Sequence, residues 1–133
     1  MSDRLEGRAL ELLREPNFAN LATVNPDGSI LAVVLWVDAD AGGLVLVNGV
    51  EGRRWPANLR RSGQATVLVA NRHNPHEYVS VVARLAGDQT TGAAKHFETL
   101  GRMYRGADAP QAPPGMQRVK LTLAPIRVRL YQG

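Results

Sequence analysis

The sequence predicts a mainly β protein: an antiparallel barrel of six or seven strands with three flanking helices, in a single domain over residues 1–133. Three observations lead there. Short apolar runs rich in valine and leucine recur at 18–24, 30–37, 44–47, 65–70, 78–85, 118–123 and 126–131. The early runs are joined by tight turns, not by the long helical crossovers that a parallel sheet needs. A chain of 133 residues with 44% apolar and only 5% aromatic side chains can bury one core, filled mostly by Val, Leu and Ala.

Each element follows from local chemistry. Arg4 to Arg14 carries Leu5, Ala9, Leu12 and Leu13 on one helical face, and Pro16 ends that helix. Phe18 to Val24 is a short strand. In Asn25-Pro26-Asp27-Gly28, proline presets φ and glycine supplies a positive φ, so the chain turns. Ile30 to Val37 is almost wholly apolar and reads as a strand buried on both faces. After a second turn, Asp38 to Gly43, the strand Leu44 to Val47 completes a meander. Asn48 to Gly52 reads as a loop, and Arg53 to Arg61 as a helix with Pro56 in its first turn, where proline is tolerated. Ala65 to Ala70 and Tyr78 to Leu85 are strands around a polar loop, Asn71 to His76. Thr91 to Tyr104 is a helix, with Thr90 or Thr91 as its N-cap. A loop rich in Pro, Ala and Gly, Gly106 to Gly115, precedes two final strands separated by Pro125.

Composition excludes several function classes. The absence of cysteine rules out a disulfide scaffold, a thiolate zinc site and a thiol nucleophile, and fits a reducing cytoplasm. The first eighteen residues hold no apolar run of signal-peptide length, and no stretch approaches the roughly 18 apolar residues of a membrane span. A cytoplasmic protein without a membrane role is expected. The net charge is +4, and fourteen of the sixteen basic residues are Arg. Guanidinium is a planar fork matched to phosphate and carboxylate; a GC-rich genome would give the same bias. Nucleic acid is not the expected partner, because the interleaved surface aromatics on which single strands stack are missing.

Chemistry concentrates between Asn48 and Arg61. A strand, a glycine loop with Gly49 and Gly52, and a helix starting at Arg53 and Arg54 together place free N–H groups and two guanidiniums at one point. Such a point is either a phosphate or carboxylate site or a solvated basic helix start. Arg60 and Arg61 suit the negative end of the helix dipole. Asn58 either caps locally or faces a ligand. Trp55 and Trp36 are candidate walls for a flat ligand, although a place on a buried strand favours core packing for Trp36. His73 and His76 lie three apart, but Pro75 breaks any helix that would align them and no third ligand is near, so a metal is not expected. No nucleophile elbow, phosphate-binding Walker loop or dinucleotide fingerprint occurs. The residues form a cradle without catalytic side chains, so a bound cofactor would carry any chemistry.

The ordered set Leu21-Ala22-Thr23-Val24, Asn25-Pro26-Asp27-Gly28-Ser29, Leu35-Trp36-Val37-Asp38, Val45-Leu46-Val47-Asn48, Glu51-Gly52-Arg53-Arg54 and Asn58-Leu59-Arg60-Arg61 resembles the pyridoxamine 5'-phosphate oxidase-like superfamily. Within it the chain looks closest to the flavin/deazaflavin (F420)-dependent oxidoreductases. The strand Tyr78 to Leu85 and the helix around His96, Leu100 and Tyr104 are similar too. The resemblance implies a split β-barrel of the FMN-binding type, paired as a homodimer with sites at the interface. It implies F420 as cofactor, with FMN as the alternative, acting on a small-molecule substrate; a non-catalytic flavin- or haem-binding protein is the further alternative. It assigns the cofactor phosphate to Arg53 and Arg54 and the ring to the second strand, near Val33 to Trp36. Cofactor contacts are accordingly expected from Val34, Trp36, Asn48, Gly49, Arg53, Arg54, Trp55 and Asn58. Trp55 stands where many relatives carry Lys, and the second strand lacks the prolines common among F420-binding relatives.

Overall fold

Alternating apolar residues give every strand an inward face, and Val, Leu and Ala side chains fill the space that the strands enclose. The computed structural model describes residues 2–133. In chain order the elements are α1 (Gly7–Arg14), β1 (Ala19–Val24), β2 (Ile30–Leu35), β3 (Val37–Ala39), β4 (Val45–Val50), α2 (Arg54–Ser62), β5 (Gln64–Asn71), β6 (Asn74–Gln89), α3 (Ala93–Arg105) and β7 (Arg118–Gln132). The seven strands make one sheet in the order β2-β1-β5-β6-β7-β4-β3, with every neighbouring pair antiparallel.

The two edge strands, β2 and β3, are separated in sequence by Trp36 alone. One residue cannot span an open sheet, so the sheet curls until its edges meet, giving the split barrel. Closure is incomplete. β2 pairs with β1 along its whole length, from Ile30 opposite Val24 to Leu35 opposite Ala19. β3 pairs with β4 only from Val45 to Val47. A seam therefore remains between β2 and the Asn48–Val50 end of β4, and both sides of it present unpaired backbone.

Leu21, Val37, Val47, Val67, Val81 and Leu121 are among the fully buried side chains inside the barrel. α1 packs against β3, β5, β6 and β7. Its docking rests on Leu12 and Leu13, both fully buried and worth about 1.5–3 kcal/mol each. The fork from Arg8 to Glu77, at 2.8 and 3.1 Å, adds little by comparison, since such partly exposed pairs stay hydrated. Gly43, at φ +85°, lies so close to the N-terminal segment that a Cβ there would sit 2.6 Å from the Leu5 carbonyl oxygen.

Several sequence expectations change. β2 is not buried on both faces: Ile30 and Val34 are 64% and 67% exposed, because β2 is an edge with nothing packed on its outer face in this chain. The strand also breaks at Trp36. Asn48 to Val50 continues β4 instead of starting a loop, because β7 supplies a partner up to Val50 opposite Arg118. The polar stretch 71–76 is mostly hairpin: β6 already begins at Asn74, and Asn71 accepts the His73 N–H at 2.9 Å. The chain after Pro125 does not start a new strand. β7 runs through it with a register shift opposite Val82/Ala83, where a missing N–H is tolerated. α3 is preceded by Gly92 at φ +76° with no side-chain cap, and Thr90 contributes only its carbonyl, to Ala93 N–H at 3.1 Å.

Gly49 holds the seam open to α2. A Cβ there would meet the Trp55 ring at 2.6 Å and Pro56 at 3.3 Å. Gly49→Ala is therefore expected to destabilise the fold by about 1–3 kcal/mol through overpacking, read as a lower urea midpoint. Combined with Trp55→Phe, which removes the clashing ring edge, the loss should be less than the sum of the two single losses. Strict additivity would mean that the ring and the glycine do not touch.

Candidate functional site

The seam opens into two adjoining cavities. The first, of about 360 Å³, lies between Leu31, Val33 and Val34 of β2 and Asn48, Gly49 and Val50 of β4. Arg53, Arg54 and Trp55 from the start of α2, and Arg118 from β7, complete it. The helix start contributes less backbone than its position promises. Arg53 N–H is bonded to Val50 O at 3.2 Å, Glu51 N–H to Gln117 O at 2.9 Å, and Pro56 has no N–H. What this end still offers is the first-turn N–H groups of Arg54 and Trp55 together with the guanidinium groups. Arg53 and Arg54 are exposed, and neither forms an ion pair among the described residues.

The second cavity, of about 280 Å³, shares Val34, Asn48 and Arg118 with the first and is otherwise apolar, walled by Phe18, Leu35, Trp36, Phe97 and Leu100. Trp36 stacks on two rings of α3: Phe97 at 5.7 Å and Tyr104 at 5.6 Å between centroids. Tyr104 is pinned in turn. Its hydroxyl accepts the Val37 N–H at 3.0 Å and lies within donor reach of Asn17 O at 2.7 Å and Val37 O at 2.8 Å. Burial pushes its pKa up to about 12, so it stays neutral.

Asn48 joins the cavities. Its Nδ2 donates to Ala93 O at 2.8 Å and lies 3.0 Å from His96 Nδ1. Its Oδ1 accepts from Arg118 Nε at 3.0 Å. Because the amide donates, His96 Nδ1 is the acceptor and the ring proton sits on Nε2, which is buried without a partner among the described residues. Burial, with Lys120 as the second cause, pushes the His96 pKa down to about 4. Arg118 is half-buried, its guanidinium carbon 3.9 Å above the Phe97 ring, and burial together with Arg53 disfavours its charge.

Of the residues expected from sequence, the fold brings Val34, Trp36, Asn48, Gly49, Arg53, Arg54 and Trp55 to this groove. Asn58 lies outside it. Its side chain is buried, with Nδ2 donating to Thr23 Oγ1 at 3.2 Å and Asn25 Oδ1 at 2.9 Å, and it fastens α2 to β1 and the turn after it. Trp36 lies at the kink between strands and walls a cavity, instead of filling the barrel core. Trp55 is only 9% exposed and turns its ring onto Gly49. Arg60 is held by Glu51 and Asp88 at 2.6 and 2.7 Å, which gives it a specific partner beyond the helix dipole. Sequence reading missed Arg118, Phe18 and Phe97. Their neighbours come from remote segments, and no local spacing marks them.

His96 gives stability a pH dependence with a defined sign. Below its ordinary pKa of 6.5 the unfolded chain takes up a proton that the folded chain refuses until about pH 4. This contribution is complete above pH 6.5 and is lost as pH falls toward 4. The loss between pH 7 and 5 should be no more than about 2 kcal/mol, since each tenfold change in proton affinity is worth about 1.4 kcal/mol. Urea midpoints should fall over that range in the native chain and stay flatter in His96→Gln. Parallel curves for the two proteins would contradict the burial of a neutral ring.

The fold agrees with the comparisons to known proteins. No curated protein matches the chain. Among solved structures, a protein named F420 reductase superposes with a TM-score of 0.81 at 22% identity, covering 90% of this chain and 94% of its own. The conserved protein Rv2991 of Mycobacterium tuberculosis gives 0.69 at 17% identity, covering 99% and 88%. HupZ of Group A Streptococcus gives 0.68 at 16% identity, covering 96% and 99%. The pyridoxamine 5'-phosphate oxidase family profile matches residues 5–131, nearly the whole sequence. With the split barrel and its cationic seam already explained by the residues, the chain belongs to the pyridoxamine 5'-phosphate oxidase family.

Proposed function

We propose that the chain is an oxidoreductase that binds the deazaflavin F420 in the seam and passes hydride from its reduced form to a small organic substrate. The observation that carries this reading is the polarity of the groove. One end offers Arg53 and Arg54, the β2 side offers the aliphatic wall of Leu31, Val33 and Val34, and the free edge of that strand runs between them. That surface complements a molecule with a phosphate at one end and a flat ring at the other. Arg53 and Arg54 would take the phosphate through charge-assisted hydrogen bonds. Val33 and Val34 would wall the ring, with Trp36 at its far edge, between the ring and the aromatic cavity. When bound, reduced deazaflavin supplies the hydride, and the protein supplies placement and exclusion of water.

The choice of F420 over FMN rests on charge. Trp55 occupies a position where similar proteins often carry Lys, which weakens the grip on a ligand held by its phosphate alone. F420 bears carboxylates beyond its phosphate, and a chain with fourteen Arg residues offers them further partners. The TM-score of 0.81 to the protein named F420 reductase is consistent with this choice. Titration followed by fluorescence should give tighter binding of F420 than of FMN. Affinity for F420 should fall between about 0.05 and 0.5 M salt, more steeply than for FMN. Arg54→Ala should weaken cofactor binding by roughly ten- to hundredfold, about 1.5–3 kcal/mol, with unchanged melting. An unaltered dissociation constant would remove Arg54 from the phosphate site. Protein that purifies yellow, with near-stoichiometric FMN, would replace F420 by FMN.

The same reading includes a homodimer. The outer face of β2, β1 and β5 exposes Val34 and Leu68 in register around Asn20, with Ile30 opposite Val24 beside them. An apolar patch of this kind on a small barrel invites a second copy. Light scattering at micromolar concentration should give twice the 14.4 kDa chain mass, and Leu68→Asp should return it to one. A native mass of one chain would sink the dimer.

A further inference from the structure

Arg118 lies where the two cavities meet, and among the described residues it is the sole charged side chain lining the aromatic one. Asn48 fixes its Nε at 3.0 Å, and the Phe97 ring lies under its guanidinium at 3.9 Å. No carboxylate pairs with it among the described residues. A half-buried guanidinium held by one neutral amide and one ring face has lost water without gaining a counter-ion. Its neighbour Arg53 adds to the unfavourable positive potential. An anion arriving from solvent relieves both. Arg53 and Arg54 already serve the other end of the seam, so an anion in the aromatic cavity meets Arg118 first.

We propose that the aromatic cavity is a substrate subsite for flat, apolar monocarboxylates, with Arg118 pairing with the carboxylate and Asn48 holding Arg118 in position. The cavity supports that class on two grounds. Phe18, Val34, Trp36 and Leu100 offer an apolar surface to a planar body. A single cation at its edge matches a single negative charge, and the planar fork of guanidinium matches a carboxylate. A neutral ring leaves Arg118 unpaired, and a polyanion would have to desolvate charges against apolar walls. The assignment rests on the reading of Arg53 and Arg54 as the phosphate end only in leaving this cavity to the substrate.

The test uses 2-naphthoate and its neutral counterpart 2-naphthamide as probes, followed by calorimetry on the full chain. The native protein should prefer the carboxylate by about tenfold or more, the scale of one charge-assisted contact. In Arg118→Gln the preference should vanish while 2-naphthamide binding holds. Asn48→Asp places a fixed carboxylate beside the guanidinium, so the preference should vanish there too, although Arg118 remains. If that variant melts far below the native protein, Arg118→Gln alone decides. Equal binding of 2-naphthoate to native protein and Arg118→Gln overturns the proposal, as does failure of the native protein to bind either probe. Titrating Arg118→Gln with F420 and FMN separates this idea from the cofactor reading. Loss of cofactor as large as in Arg54→Ala would put Arg118 in the phosphate cradle and overturn the substrate role. A native protein that binds no cofactor, yet keeps an Arg118-dependent preference for 2-naphthoate, would refute the cofactor reading and leave the subsite standing.

Discussion

One stretch of chain, Ile30 to Ala39, has to serve as both edges of the same sheet. Its first half follows β1 and its second half follows β4, and the change of partner happens across Trp36. Ladder hydrogen bonds on both sides of that residue fix the two halves, so the barrel closes at the β3 end and stays parted along β2. The cavity between β2 and β4 is this parting. The anchoring of the kink is equally specific. Tyr104 bonds to Val37 and Asn17 and stacks on Trp36, which ties α3 to the place where the strand changes partner. The groove thus has one wall of edge strand and one of helix, and the rings of Trp36 and Phe97 lie where they meet.

The seam also needs polar groups that hold without counter-ions. Asn48 does this with a neutral amide. A carboxylate at the same place would neutralise Arg118 and invite His96 to take a proton; an apolar side chain would leave Arg118 Nε without that partner. The amide satisfies donor and acceptor together while leaving the guanidinium's charge available. The cost of the arrangement falls on His96, whose Nε2 has no partner among the described residues. Farther from the groove, two arginines are paired: Arg60 with Glu51 and Asp88, and Arg8 with Glu77.

The barrel is legible in the sequence because its strands obey local rules. Leu21, Val47, Val67 and Val81 alternate or cluster as buried strand residues do, and Pro26 and Gly28 announce their turn. The cationic end is legible for the same reason, since Arg53 and Arg54 adjoin the helix start in sequence as in space. The features that escape local rules depend on information from elsewhere in the chain. An unbroken apolar run at 30–37 looks the same whether it is a central strand or an edge, and only the pairing order decides. Asn58 lies near Arg54 in sequence, which suggests a ligand contact, but helical rotation turns it toward Thr23 and Asn25. Arg118 and Phe97 meet Asn48 and Trp36 through contacts between remote segments, so no spacing rule reaches them.

The side chains around the groove also limit the chemistry it can support. General acid–base catalysis works best with a group whose pKa lies near the working pH. Among the described residues that line the two cavities, the ionisable ones are Arg53, Arg54 and Arg118, all cationic at neutral pH. Just behind them, His96 is held neutral by burial with its pKa near 4, and Tyr104 is held neutral with its pKa near 12. Neither can relay protons efficiently at pH 7. A reaction whose rate depends on a protein acid or base in this groove is therefore disfavoured. One that needs two partners aligned in a dry cleft, with negative charge steadied by guanidinium, is favoured. Transfer of hydride between a bound ring and a neighbouring acceptor is a reaction of that second kind. The seam suits a reaction of that kind, with an edge strand against which a ring can align and guanidinium groups beside it.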